Sequence, residues 1–262
     1  MDNFSQFIAG IRMRPEVPPC CVSDPVGVHE MISRIRDRGY VNLSTGENRM
    51  VTGAVSLQDA MRLSSTVYTN KCMVTLETGV AFGFSTLAIK AAQKKLGVPS
   101  HHYAVDPDQF STHKGSAIAL LEEYGISDGC EVLPSPAHVA LPELLERGIV
   151  LDFAFIDGWH TFDYTLLDFF YIDKMLKPGG IVAIHDCTWP AVQKVIRFIN
   201  THRQYELLPF PRVTALRSAY RIYKSVLRRD SSIMFSLKRT PNLLFFRKAA
   251  TWEPRWDYFK SF

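Results

Sequence analysis

From residue 72 onward, short runs that are apolar at nearly every position alternate with stretches of 10–15 residues whose apolar positions recur at helical spacing. The runs predict strands at about 73–77, 102–105, 130–134, 151–156 and 180–185. The intervening stretches predict helices near 84–96, 113–124, 137–147, 162–175 and 189–202. Segments such as LDFAFI and IVAIH are what strands covered on both faces require. The alternation implies parallel strands joined by crossover helices, hence a doubly wound, mostly parallel α/β sheet with helices on both faces.

Upstream, residues 14–27 are rich in proline and read as an extended lead-in. Val28, Met31, Ile32 and Ile35 mark a helix over 28–38, and a second helix over 56–69 opens with Ser56 and Asp59 at capping-box spacing. Downstream of residue 203 the pattern changes. YELLPF and NLLFFRKA read as strands, and between them RVTALRSAYRIYKSVLRR reads as a helix with an apolar stripe (Leu216, Tyr220, Tyr223, Leu227) and a basic one (Arg217, Arg221, Lys224, Arg228).

The chain has 262 residues, 47% hydrophobic and 21% charged, which excludes disorder, collagen-like repeats and coiled coil. Cys20, Cys21, Cys72, Cys130 and Cys187 form no Cys-x-x-Cys pair and no even framework, so zinc-ribbon and disulfide-scaffold readings drop out and a reducing compartment is favoured. The first twenty residues carry Asp2, Arg12 and Arg14 and lack the apolar centre of a signal peptide, and no uncharged run is long enough for a membrane span. The expectation is a cytoplasmic protein. The net charge of +4 is uneven: residues 201–262 hold 13 Lys+Arg against 4 Asp+Glu, leaving the rest of the chain acidic. Such a basic segment suits nucleic acid, an anionic membrane or an acidic small molecule, and composition does not choose among them.

Candidate chemistry concentrates at the predicted strand ends. In VTLETGVAFGFSTLAIKAA a strand ends at Glu77, Gly79 and Gly83 follow with Ala81 between them, and Ser85 opens a helix. Glycines allow positive φ and close backbone approach, and helix-start N–H groups welcome a carboxylate or other anion, so the turn is a ligand cradle. Asp106 closes the second strand 23 residues beyond Gly83, where a carboxylate can accept ribose hydroxyls; its other role would be a cap or turn before Pro107. FIDGWH ends the fourth strand at Asp157, and IHDC ends the fifth at Asp186. Carboxyl ends of parallel strands line the ligand crevice, so Glu77, Asp106, Asp157 and Asp186 should converge there.

With Glu-x-Gly-x-Ala-x-Gly at 77–83, Asp106, Asp157 and the Lys-Pro-Gly-Gly turn at 177–180 in this order and spacing, the sequence resembles the class I S-adenosylmethionine-dependent methyltransferases over roughly residues 55–200. Ile-Asp-Gly-x-His followed by His-Asp looks most like their small-molecule, sugar-type O-methyltransferases. The resemblance implies a seven-stranded Rossmann-like fold whose last strands are 204–209 and 243–248. It implies a cofactor-binding domain over 71–262 with a basic insertion near 210–240, preceded by a helical extension over 1–70 that could lid the site or join copies in a homo-oligomer. It also implies that Glu77, Gly79, Ala81 and Gly83 approach the methionine part of S-adenosylmethionine, with Ser85 and Asp157 beside them, Asp106 on the ribose and Ser135 near the adenine. Ala81 stands where the family has a central glycine.

Methyl transfer to a hydroxyl needs a nucleophile held in line and relieved of its proton. Two devices are open. Asp157 and Asp186 could hold a divalent cation of the magnesium type, although Cys187 stands where a third oxygen ligand would be expected. Alternatively, His160 or His185 could act as general base, with Asp157 in the same catalytic group. Trp159, Phe162, Tyr164 and Trp189 could wall the pocket of a small-molecule hydroxyl acceptor. A methylase or scaffold directed at nucleic acid or a membrane-associated partner is the second reading, weakened by the lack of any recognisable RNA-binding module. A nicotinamide oxidoreductase comes last, because residues 79–84 do not read Gly-x-Gly-x-x-Gly.

Overall fold

The computed structural model describes residues 24–209 and 241–262. Cys20, Cys21, most of the proline-rich lead-in and the basic helix expected over 212–229 lie outside them. Helix α1 (Val28–Arg38) starts where the Asp24 carboxylate accepts the N–H groups of Gly27, Val28 and His29. A short antiparallel hairpin, β1 (Tyr40–Asn42) and β2 (Asn48–Met50), follows; the polarity of this stretch hid it from the periodicity reading. Helix α2 (Leu57–Thr69) is capped by Ser56, whose Oγ accepts the Asp59 N–H at 3.1 Å.

The expected alternation then unfolds as β3 (Val74–Thr78), α3 (Phe84–Leu96), β4 (His101–Val105), α4 (Ser116–Glu123), β5 (Cys130–Leu133), α5 (Ala137–Glu146), β6 (Leu151–Ile156), α6 (Phe162–Met175), β7 (Leu176–Ile184) and α7 (Pro190–His202). β8 (Tyr205–Leu207) and β9 (Leu244–Lys248) complete a seven-stranded sheet of order β5-β4-β3-β6-β7-β9-β8, parallel except for β9. Two boundaries differ from expectation. α4 begins three residues late because Asp108 O accepts the N–H groups of Thr112 and His113 in a tight turn. β7 begins at Leu176 because that residue already pairs with Leu151, ahead of a register shift.

Strand side chains alternate between two apolar layers. Phe153, Phe155, Ile181 and Ala183 face a cluster with Ile32 and Ile35 of α1, Leu63 and Val67 of α2, and Leu87 of α3. Ala154, Ile156, Val182 and Ile184 face the other layer with Leu141 of α5, Phe169 of α6 and Ile196 of α7. Phe153 and Phe155 are fully buried, each worth about 2–3 kcal/mol of transfer free energy. α1 and α2 thus share the core that carries the sheet. No helix among the described residues is long and apolar enough to cross a membrane.

Candidate active site

At the carboxyl ends of β3, β6 and β7 lies a cavity of about 340 Å³, lined by Gly53–Val55, Gly79–Phe82, Phe84, Ser85, Asp157, His160, His185 and Asp186. Two adjacent parallel strands, β3 and β6, leave the sheet toward opposite neighbours here, which opens the crevice. The turn after β3 fits no side chain at Gly79: φ is +82°, and a Cβ there would sit 2.1 Å from the Asp157 carbonyl oxygen. Gly83, at φ +85°, packs against Ala117 just as closely, with a Cβ only 2.5 Å from its Cα. Ala81 adopts φ +46°, so the departure from glycine is accommodated in the left-handed region at about 1 kcal/mol of strain.

The turn is braced by side chains from the loop after β4. Asp106 Oδ2 accepts the N–H groups of Val80 and Ala81 at 3.0 and 2.7 Å, and Oδ1 accepts Asp108 N–H at 2.8 Å. Gln109 donates to Ala81 O and accepts Ala117 N–H. Asp106 therefore takes the turn-bracing role, one of the two open to it in sequence, and does not line the cavity. Nor does Glu77: its fully buried side chain is held by the Thr86 hydroxyl and by His102 at 3.0 Å. Ser135 also lies outside the cavity lining, in a turn where its N–H donates to Leu133 O.

Charged groups gather on the opposite strands. His185 Nδ1 lies 2.8 Å from Asp157 Oδ1 and 3.6 Å from Asp186 Oδ2, and its Nε2 lies 3.7 Å from Asp59 Oδ2. Burial works against a charge on this ring, but the three carboxylates outweigh it and push the pKa up to about 12. The Asn242 amide nitrogen also lies 3.1 Å from His185 Nε2. Burial raises Asp157 above the usual carboxylate range despite the opposing bond from His185. Burial also opposes ionisation of Asp186, yet bonds from His185 and Asn242 hold it below that range.

His160 Nε2 lies 3.2 Å from Asp186 Oδ2, and its ring centroid is 6.1 Å from that of Trp189. Ligand atoms of Asp157, His160 and Asp186 all lie within 4.8 Å of one another. His160 and Asp186 both have positive φ, +56° and +52°, so the backbone carries strain of about 1 kcal/mol at each to aim these side chains together. Cys187 cannot be the third donor of such a group: it is fully buried and its thiol donates to Ile184 O. Trp159 and Trp189 stand 70% and 52% exposed beside the cluster.

Two contributors were not legible as site residues, and a third was legible in one role only. Gly53–Val55 carry no motif, Asp59 reads only as a helix-capping residue, and His160 reads as a base but not as a third donor. The first two come from the N-terminal elements, which only packing brings to the rim.

Residues 76–187 match the family model described as a methyltransferase domain. No curated protein matches the sequence. Among solved structures, the chain is similar to cofactor-bound Rv0187 from MTB, with TM-score 0.59 and 16% identity over 87% of this chain and 91% of the other. It is similar to the O-methyltransferase TomG from Streptomyces achromogenes, involved in tomaymycin synthesis and solved with SAM (TM-score 0.53, 19% identity, 71% and 82% covered). It also resembles an O-methyltransferase from Bacillus cereus in complex with SAH (TM-score 0.54, 17% identity, 78% and 87% covered). At such identities the structural likeness is one of fold, and it agrees with the family match and the strand order. Residues 76–187 of this chain therefore match a methyltransferase domain, carried on a seven-stranded sheet of the Rossmann-like methyltransferase fold.

Proposed function

We propose that the protein transfers a methyl group from S-adenosylmethionine to a hydroxyl of a small molecule. The observation that carries this reading is the cluster of Asp157, His160 and Asp186 in the wall of the same cavity as the glycine turn. The turn suits the cofactor because Gly79 lets it pack directly against the Asp157–Gly158 backbone, and Val80–Phe82 and Ser85 border the space. The O-methyltransferases crystallised with SAM or SAH support the same cofactor and reaction.

In this reading Gly79, Ala81, Gly83 and Ser85 hold the methionine part, while Asp106 shapes the turn and offers its remaining lone pair to the ribose. Glu77 acts from beneath, through Thr86, and Ser135 stays at the adenine side. His160 is the general base: it is partly exposed, lines the cavity and is oriented by Asp186. His185, held 2.8 Å from Asp157 and among the surrounding carboxylates, fixes Asp157 in place. Asp157, His160 and Asp186 also fit a divalent cation, the imidazole being a softer donor than the oxygen ligands that magnesium prefers. When bound, such an ion polarises the acceptor oxygen. The exposed indoles of Trp159 and Trp189 border the acceptor space. A cytoplasmic setting is supported by the free thiols of Cys72, Cys130 and Cys187.

Calorimetry with S-adenosylmethionine, followed by methyl-transfer assays over phenols, catechols and glycosides, tests the reading. Asp157→Ala should abolish turnover. A folded protein that leaves the cofactor unbound at millimolar concentration would falsify it.

A further inference from the structure

We propose that Asp168 is a counter-charge beneath the cavity floor, favouring the cationic sulfonium cofactor over the neutral thioether that remains after transfer. The inference rests on the functional reading above. Asp168, on α6, is 2% exposed. Its Oδ2 accepts the Thr78 hydroxyl at 2.8 Å, and its Oδ1 is buried with no hydrogen-bond partner. Among the described residues no Lys, Arg or His forms an ion pair with it, whereas Asp157 and Asp186 share His185.

Its position is what gives this isolation a use. Thr78 is the residue immediately before Gly79, and Thr78 O accepts the Asp157 N–H. A Cβ placed on Gly158 would lie 3.2 Å from Asp168 Oδ2 and 3.7 Å from Thr78 Oγ1. The carboxylate thus sits directly under the two turns that present Gly79 and Asp157 to the cavity. Burial pushes its pKa up to about 6, so it is ionised at neutral pH with no cation of its own. A buried charge without a partner is retained at a cost unless something in the functional state answers it.

Methyl transfer supplies the difference in charge. The S–CH3 bond breaks with its electron pair remaining on sulfur, the acceptor oxygen forms the new O–CH3 bond, and the hydroxyl proton leaves to the base. Sulfur changes from cationic to neutral. Attraction to Asp168 is therefore present for the substrate cofactor and absent for its product, which weakens product retention.

The test is calorimetry at pH 7.5 on the wild type and Asp168→Asn, using S-adenosylmethionine, S-adenosylhomocysteine and sinefungin, whose amine carries a positive charge near the methyl position. Asp168→Asn should weaken S-adenosylmethionine and sinefungin about tenfold, the order expected of a unit charge screened by the turns that lie between it and the cavity. S-adenosylhomocysteine should stay within about twofold. Equal losses for all three ligands, or no loss for any, would overturn the assignment, since a merely structural role moves them together. Asp168→Ser removes the same charge if the Asn variant does not fold. A folded wild type that binds none of the three overturns the functional reading, and this inference with it.

Discussion

An isolated buried carboxylate has a stability signature that can be worked out from the structure. Asp168 titrates near an ordinary 3.8 in the unfolded chain and at about 6 in the fold, because burial disfavours the charge more than the single Thr78 hydroxyl favours it. The folded state therefore holds its proton to higher pH than the unfolded state. Its stability contribution is fully present below the unfolded pKa and is lost as pH rises toward and through the folded one. A shift of about two units corresponds to about 3 kcal/mol over the whole window, of which about 2 kcal/mol falls between pH 4.5 and 7.5. Asp168→Asn keeps the shape and the Thr78 bond but cannot ionise. The stability of the variant relative to wild type should rise by about 2 kcal/mol from pH 4.5 to 7.5. Comparing the two proteins at each pH cancels the titration of His185, Asp157 and the rest, and it also cancels the fixed cost of exchanging an acid for an amide. Urea unfolding followed by far-ultraviolet circular dichroism at several pH values measures the difference directly. A difference that stays level with pH would show that Asp168 is solvated or paired in solution, and the counter-charge argument would lose its physical basis.

Gly79→Ala should cost at least about 2 kcal/mol and reduce cofactor affinity more than tenfold, because its Cβ would meet the Asp157 carbonyl at a positive φ; wild-type binding by calorimetry would contradict the tight turn. Ala81→Gly should raise stability by about 0.5–1 kcal/mol in thermal unfolding, with cofactor binding intact, since it removes left-handed strain at φ +46°. A clear loss of stability would count against that strain. His160→Ala should lower kcat by about 10²–10⁴-fold with little change in cofactor affinity, as removal of a general base does. Unchanged kcat would remove His160 from the chemistry, and titration of the same variant with Mn²⁺ reports separately whether its imidazole is a metal donor.

The sequence by itself determined the layers and the place of the crevice. The near-continuous apolar run of LDFAFI, the helical spacings between strands, and glycines directly after β3 are local signals, and local signals survive without knowledge of the fold. They locate the glycine turn and the strand-end acids Asp106, Asp157 and Asp186. Only the tertiary structure decided what those groups touch. Asp59 and His185 are 126 positions apart in the chain and meet because α2 packs beside the sheet. Cys187 follows a strand-end acid but turns into the core, while His160 swings toward Asp186 through a positive φ that no propensity favours. Likewise, Asp168 looks like any polar residue on a helix until packing leaves it under Thr78 and Gly158 with no cation in reach. Backbone pattern is a short-range property, whereas the charge state and aim of a side chain depend on every neighbour that folding brings within a few ångströms.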